Sequence, residues 1–213
     1  ALLTTKFFGI GLPYHQDEWK FAHFVVDPAS LTGIFHHPPL TELLFRVARW
    51  FVPPELLRII PLAFTGASYA LLYLILERRT GFRSALLSLV LVGTVAYGTL
   101  AALMLDTDGA ILPFFMLLAV YAYDRWRESI GRTRLLFGSL LFAALMLGLL
   151  VKLSFILVIG AILLDYLYEH RRDITFREIW RLGGIVFVFL AFVALLIGLG
   201  RLINPAFNIS AMI

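Results

Sequence analysis

The sequence predicts an all-α fold, a polytopic bundle of transmembrane helices. Hydrophobic residues make up 61% of the 213 residues and charged residues only 15%, whereas soluble domains are about 45–50% apolar. The mean hydropathy is +0.89. Apolar runs of about 20 residues, the length that a helix needs to span the hydrocarbon core, alternate with short arginine-rich segments. These observations predict a multi-pass integral membrane protein in contact with membrane lipid.

Two terminal segments and one long loop flank the apolar part of the sequence. Residues 1–12 are too short for a complete span, and we interpret them as the end of a preceding one. Because the first residue is Ala1 and not Met, we expect a chain trimmed at its N-terminus. Residues 13–55 form a long, polar-rich outer loop, and residues 204–213 form an outer tail. All of these segments belong to a single transmembrane domain.

The second half of the outer loop predicts an amphipathic helix that lies in the membrane interface. Proline is tolerated in the first turn of a helix, so Pro39 can open it. Apolar residues recur at helical spacing on one face of this helix, and charged residues occupy the other faces. The apolar set is Leu40, Leu43, Leu44, Val47 and Phe51. Pro53 and Pro54 end the helix before the first complete span.

Six transmembrane helices are predicted within residues 56–203. Four apolar stretches have the length of one span or of two: residues 56–76, 84–123, 135–168 and 182–203. The second stretch is interrupted by Asp106-Thr107-Asp108-Gly109 and the third by Lys152. A charged residue at the centre of a spanning helix costs roughly 2.5–3.5 kcal/mol on insertion scales. We therefore interpret each interruption as the tip of a helical hairpin near the outer surface.

The arginines predict the orientation of these helices. They form three clusters between the spans: Arg78, Arg79 and Arg83; Arg125, Arg127, Arg132 and Arg134; Arg171, Arg172, Arg177 and Arg181. All three clusters fall on one side, and an excess of Lys and Arg marks cytoplasmic loops. The net charge of +4 therefore indicates orientation and no nucleic-acid partner. The outer loop and the hairpin tips face the non-cytoplasmic side of a plasma membrane or an endoplasmic-reticulum-type membrane.

Polar groups on this outer side come from three segments. They are Asp17, Glu18, His36 and His37 in the loop, Asp106 and Asp108 in one hairpin, and Lys152 in another. Adjacent carboxylates at a membrane surface suit a general base beside an orienting acid, because neighbouring charges and partial burial tune their pKa values. With no cysteine in the sequence, disulfides and thiolate metal sites are excluded.

Each of these groups also has a purely structural interpretation. The Asp17-Glu18 pair can be a solvated helix start, and the His36-His37 pair can consist of interfacial side chains before a proline. For Asp106 and Asp108 we favour a cavity lining or a helix cap over a metal site. Their carboxylate oxygens could still bind a divalent cation. Lys152 can extend to lipid headgroups.

Two loop motifs resemble a known family. The segments Tyr14-His15-Gln16-Asp17-Glu18-Trp19 and, about twenty residues later, Phe35-His36-His37-Pro38-Pro39-Leu40 resemble the first outer loop of the GT-C membrane glycosyltransferases. The nearest members are the protein O-mannosyltransferases and the bacterial aminoarabinose and related polyprenyl-phosphate-sugar transferases. The segments Leu105-Asp106-Thr107-Asp108 and Leu150-Val151-Lys152-Leu153 agree with this resemblance.

The resemblance implies a GT-C-like fold, with interfacial helices in the first outer loop, and an enzyme. We expect no cofactor, with a divalent cation left open. The donor would be a sugar on dolichyl or another polyprenyl phosphate, and the acceptor a protein, lipid or glycan. Asp17 would be the general base of an inverting transfer, with Glu18 assisting in positioning. Lys152, helped by His36 or His37, would stabilise the departing phosphate, and Asp106 and Asp108 would line the same cavity.

The chain is shorter than complete members of this family, so the resemblance implies a fragment, a short divergent member or a module of a larger enzyme. A transporter or lipid-handling scaffold is one alternative function, and a non-catalytic subunit with the GT-C shape is another. A transporter predicts facing charges at the bilayer midplane. The acids of this sequence lie at one surface instead, which favours chemistry at the interface.

Overall fold

The computed structural model describes residues 39–171 and 176–203, together with Ile10 and Glu18. Over these residues the secondary structure is helical and contains no β-strand. The all-α fold class that the composition predicts is therefore confirmed.

Eight α-helices follow one another within the described residues. They are α1 (Pro39–Ala48), α2 (Ile59–Thr80), α3 (Phe82–Thr94), α4 (Ala96–Leu103), α5 (Leu112–Glu128), α6 (Gly131–Val151), α7 (Ile156–Glu169) and α8 (Phe176–Ile203). Short 3-10 turns span Pro54–Leu56 and Leu153–Phe155, and a π-helical turn spans Thr107–Ile111. The most extensive packing is between α5 and α6, and α2 packs against α3 and α5.

Helix α1 begins at Pro39, where the sequence predicts it. It packs against α6, and its buried side chains include Thr41 and Phe45. Leu43 and Val47, which belong to the predicted apolar set, are exposed instead. One side of the helix therefore contacts the protein core and another presents apolar side chains outward. This arrangement suits an amphipathic helix in a membrane interface.

Two helical segments of the described residues are long and apolar enough to cross a membrane, Pro54–Thr80 and Gly131–Val151. The first contains the predicted span 56–76, and the second covers much of the first half of the predicted pair 135–168. At 1.5 Å per residue, the 22 residues of α2 extend about 33 Å, close to a hydrocarbon core of about 30 Å. Helix α2 ends at Gly81, whose φ of 85° favours glycine.

The span that the sequence predicts after α2 is divided into α3 and α4. Thr94 Oγ1 donates to the carbonyl oxygens of Val90 (2.8 Å) and Leu91 (3.2 Å), a contact that bends helices. The next residue, Val95, has an extended backbone. The 13 residues of α3 extend only about 20 Å. Neither helix alone therefore has the length of the predicted span.

The best-buried side chains gather where α1, the π-helical turn and the α6–α7 turn meet. Phe45, Leu105, Ile111, Leu149 and Phe155 are almost fully buried and belong to one apolar cluster. Close packing of this kind leaves side chains little freedom to shift. The core therefore holds in place the turns that carry the acidic residues and the lysine of the predicted site.

Candidate active site

Glu18 is buried, and its carboxylate is paired with Arg58 immediately before α2. Arg58 Nε donates to Glu18 Oε1 at 3.2 Å, and Arg58 Nη2 donates to Glu18 Oε2 at 2.8 Å. Only 2% of Glu18 and 5% of Arg58 are exposed. Charges so far from water require mutual compensation and further hydrogen bonds. The ion pair therefore joins the outer loop firmly to the start of α2.

The same carboxylate contacts a second part of the fold. Glu18 Oε1 accepts a hydrogen bond from the backbone N–H of Leu105 at 3.0 Å. Leu105 is fully buried and lies between α4 and the π-helical turn. Because Asp106 is the next residue, this hydrogen bond places Glu18 beside the acidic turn.

Asp106 caps the π-helical turn. Its backbone is extended, and its Oδ1 accepts a hydrogen bond from Thr107 N at 2.6 Å, which satisfies one of the free N–H groups of a helix start. Gly109 lies tightly against α4, since a Cβ atom there would be 2.7 Å from Ala101 O. Wide turns of this type occur often at functional sites. The close approach holds the turn, and with it the positions of its carboxylates.

Lys152 approaches the same turn from the end of α6. Its backbone is extended, and its Nζ lies 3.0 Å from Asp108 Oδ1 and 2.8 Å from Asp108 Oδ2. The Lys152 side chain is 19% exposed and the Asp108 side chain 49% exposed. An ion pair this open to solvent contributes little to stability, about 0–1 kcal/mol. It leaves the ammonium group accessible to an anionic ligand.

The structure brings together residues from three distant segments of the chain. The predicted site residues within the described part are Glu18, Asp106, Asp108 and Lys152. Hydrogen bonds and the short π-helical turn connect them in series from the outer loop to α6. Asp17, His36 and His37 lie outside the described residues.

Two residues of this arrangement are missed by the sequence interpretation. Arg58 falls inside the first predicted span. A charged side chain in an apolar segment is costly unless it is paired, so this arginine predicts a partner of opposite charge. Gly109 belongs to the interrupting motif, but nothing local indicates its contact with α4. The signal for Arg58 was therefore present in the sequence, whereas the signal for Gly109 was not.

The described residues contain no group of three His, Asp or Glu side chains placed to hold a metal ion. Asp106 accepts a backbone hydrogen bond and Asp108 is paired with Lys152. Asp106 is thus the cap of the π-helical turn, and Asp108 is one partner of an ion pair.

The class of this protein follows from its helical fold, its membrane-length helices and a family comparison. The family model described as dolichyl-phosphate-mannose-protein mannosyltransferase matches residues 36–197, about three quarters of the chain. The chain is thus a membrane glycosyltransferase of the GT-C type. It belongs to the dolichyl-phosphate-mannose-protein mannosyltransferase family, which confirms the family that the sequence predicts. The match includes Asp106, Asp108 and Lys152, whereas Asp17 and Glu18 precede it.

Neither a search of curated proteins nor a search of solved structures gave a significant match.

Proposed function

We propose that this protein transfers a sugar from a polyprenyl-phosphate donor to a hydroxyl group of a protein acceptor. Dolichyl phosphate mannose and protein are the donor and acceptor in the name of its family. The observation that carries the proposal is the buried Glu18 carboxylate, bound to Arg58 and to the Leu105 N–H. These contacts support a location of the Asp17-Glu18 motif beside the acidic turn.

In this proposal the site lies at the non-cytoplasmic face of a multi-pass protein, an orientation that the arginine positions support. Helix α2 begins next to Arg58 and ends in Arg78 and Arg79. Helix α6 runs in the opposite sense, from the arginine-rich segment to Lys152. Because arginine clusters mark the cytoplasmic side, the acidic turn and Lys152 face away from the cytoplasm.

Asp17 is the proposed general base. Its carboxylate takes the proton of the acceptor hydroxyl while the hydroxyl oxygen forms a bond to the anomeric carbon of the sugar. The bond between the anomeric carbon and the phosphate oxygen breaks on the opposite side, so the configuration inverts. The electron pair leaves with the polyprenyl phosphate. Glu18 positions Asp17, because its own oxygens bind Arg58 and Leu105.

Lys152 is the proposed cation for the departing phosphate. Negative charge grows on the phosphate as the glycosidic bond breaks, and a preorganised cation stabilises it. Asp108 holds the Lys152 ammonium group with two of its three donors. His36 or His37 assists, and Asp106 with Asp108 lines the same cavity.

An Asp17→Asn variant tests the base. Membranes containing the full chain are supplied with radiolabelled dolichyl phosphate mannose and with protein, lipid and glycan acceptors. We expect transfer to protein to fall by about 100-fold or more, the usual contribution of a general base, with an unchanged amount of protein. The matched control is Asp165→Asn, because Asp165 pairs with Arg127 away from this site. Full activity of Asp17→Asn would remove Asp17 from the mechanism.

A lysine series and a chelator test the leaving-group step in the same membranes. Lys152→Gln should lower the rate strongly, and Lys152→Arg should restore part of it because the positive charge is kept. Equal rates for all three proteins would exclude Lys152 from phosphate stabilisation. An unchanged rate in excess EDTA would exclude an obligatory divalent cation.

A further inference from the structure

A cavity lies at the ends of the two membrane-length helices that are opposite to the candidate active site. Its volume is about 550 Å³, and it is lined by the ends of α2, α5 and α7 and by the start of α6. Arg58 and Lys152 adjoin α2 and α6 at the candidate active site, whereas Arg79 and Arg134 belong to their opposite ends and line this cavity. The two sites are therefore separated by about the length of α2, roughly 33 Å.

The lining of this cavity is basic. Three carboxylates contribute to it, and they are outnumbered by five arginines: Arg78, Arg79, Arg125, Arg127 and Arg134. Arg79 Nη2 is paired with Asp124 at 2.6 Å, and Arg78 and Arg127 are paired with the other two carboxylates. The ion pairs thus neutralise three of the five guanidinium groups.

Arg125 and Arg134 retain the capacity to bind an anion. The Arg134 guanidinium stacks on Trp126 at 4.8 Å from the ring centre, and no carboxylate in the described part of the chain forms an ion pair with it. Arg125 Nε is buried without a hydrogen-bond partner among the described residues. Arg125 Nη1 lies 3.8 Å from Glu128 Oε2, too far for a hydrogen bond. Because Nε is closed off from solvent, Arg125 would bind an anion through its terminal NH2 groups.

The position of the cavity matches the depth of lipid headgroups. Helix α2 is about as long as the hydrocarbon core is thick, so its arginine-bearing end reaches the headgroup layer of the cytoplasmic leaflet. Phosphates of anionic lipids are concentrated there, and basic pockets between helices bind them. Guanidinium groups suit this ligand because their planar donors bind two phosphate oxygens at once.

We propose that this cavity binds a phosphate-bearing anion through Arg125 and Arg134, and that the phosphate is the headgroup of an anionic lipid in the cytoplasmic leaflet. A soluble phosphoester presents the same chemistry and is the other source of such a ligand. The proposal rests on the membrane orientation given above but needs no sugar transfer. Binding is therefore measured without any glycosyl donor, so its failure and that of the proposed enzyme activity are separate results.

The test measures lipid binding to the purified full chain by native mass spectrometry. Phosphatidylglycerol, phosphatidylcholine and glycerol 3-phosphate are titrated separately in detergent solution. We expect saturable binding of phosphatidylglycerol in preference to phosphatidylcholine. The double variant Arg125→Gln/Arg134→Gln should bind it about tenfold more weakly or worse, because two charge-assisted contacts are lost.

The matched control is Arg83→Gln/Arg132→Gln, which removes two exposed arginines from the same side but outside the cavity lining. We expect its affinity to stay within twofold of the unmodified chain. Equal losses in the two double variants would overturn the proposal, because binding would then follow overall surface charge. Absence of saturable binding by all three compounds would also overturn it.

Competition separates the two sources of phosphate. Glycerol 3-phosphate that fails to displace phosphatidylglycerol supports the lipid, whereas displacement at equal concentration overturns the lipid assignment and assigns the cavity to a soluble phosphoester. If the double variant is unstable, the single variant Arg134→Gln replaces it. Arg134 is exposed and its guanidinium contacts Trp126, so its replacement should leave the fold intact. It should weaken phosphatidylglycerol binding severalfold, and an unchanged affinity would exclude Arg134 as a ligand.

Discussion

Replacing Glu18 by Gln should destabilise the fold and uncouple the outer loop from the acidic turn. The Gln side chain keeps the shape of Glu and one carbonyl oxygen, which can still accept from the Leu105 N–H. Its amide NH2 group takes the place of Oε2, which lies 2.8 Å from Arg58 Nη2 in the unmodified protein. Two hydrogen-bond donors would then face each other. The substitution therefore removes one negative charge from the surroundings of a buried guanidinium.

The size of this effect follows from the burial of the pair. Removing one partner of a buried ion pair costs about 3–5 kcal/mol, mostly because the other charge stays uncompensated. In a domain of about 200 residues, each kcal/mol lowers the melting temperature by about 2–4 °C. We therefore expect Glu18→Gln to lower the melting temperature by roughly 6–20 °C. Sugar transfer should fall as well, because the loop loses its anchor.

The assay is thermal unfolding of the purified chain in one detergent at one heating rate. A double-mutant cycle with Arg58→Gln isolates the pair, and neighbours of this kind show coupling energies of about 0.5–3 kcal/mol. The matched control is Glu42→Gln, which breaks the partly exposed pair of Glu42 with Arg46. That pair is worth only about 0.3–0.5 kcal/mol. If Glu18→Gln lowers the melting temperature no more than Glu42→Gln does, the conclusion that Glu18 and Arg58 form a buried, stabilising ion pair is wrong.

Two glycine substitutions test the packing around the acidic turn and around Lys152. Gly109→Ala places a Cβ 2.7 Å from Ala101 O; since a backbone oxygen cannot rotate away, we expect a loss of about 1–3 kcal/mol in stability and a fall in sugar transfer. Gly148→Ala places a Cβ 2.4 Å from the ring of the buried Phe155, and a similar loss should appear as a lower melting temperature. Gly160→Ala is the control, because a Cβ there contacts nothing within 4 Å, and it should be neutral or slightly stabilising. Equal melting temperatures for the three variants would contradict both close approaches.

The sequence was sufficient where the physics is local. Hydropathy and helix length depend on neighbouring residues alone, so the all-α class and the start of α1 at Pro39 could be predicted. Capping by Asp106 is also local, because the carboxylate binds the N–H of the next residue. The predicted pair of spans over residues 84–123 was less accurate at the break between α3 and α4. The contact there is also local, but a threonine in an apolar run does not show by itself whether its hydroxyl will bond to the preceding helical turn.

By itself, the sequence determined a helical, lipid-compatible chain, its arginine-marked ends and its family, all from composition, spacing and short motifs. Only the tertiary structure decided which charged groups meet. Glu18 binds Arg58 across 40 positions and Leu105 across 87, and Lys152 binds Asp108 across 44. No local preference encodes such pairs, because they form only once the helices pack. Burial then requires a partner for the charges of Glu18 and Arg58, whereas the more exposed Lys152–Asp108 pair follows from the positions of the two turns. The basic cavity at the opposite end arises in the same way, from three segments that are distant in the chain: the end of α2, the α5–α6 turn and the end of α7.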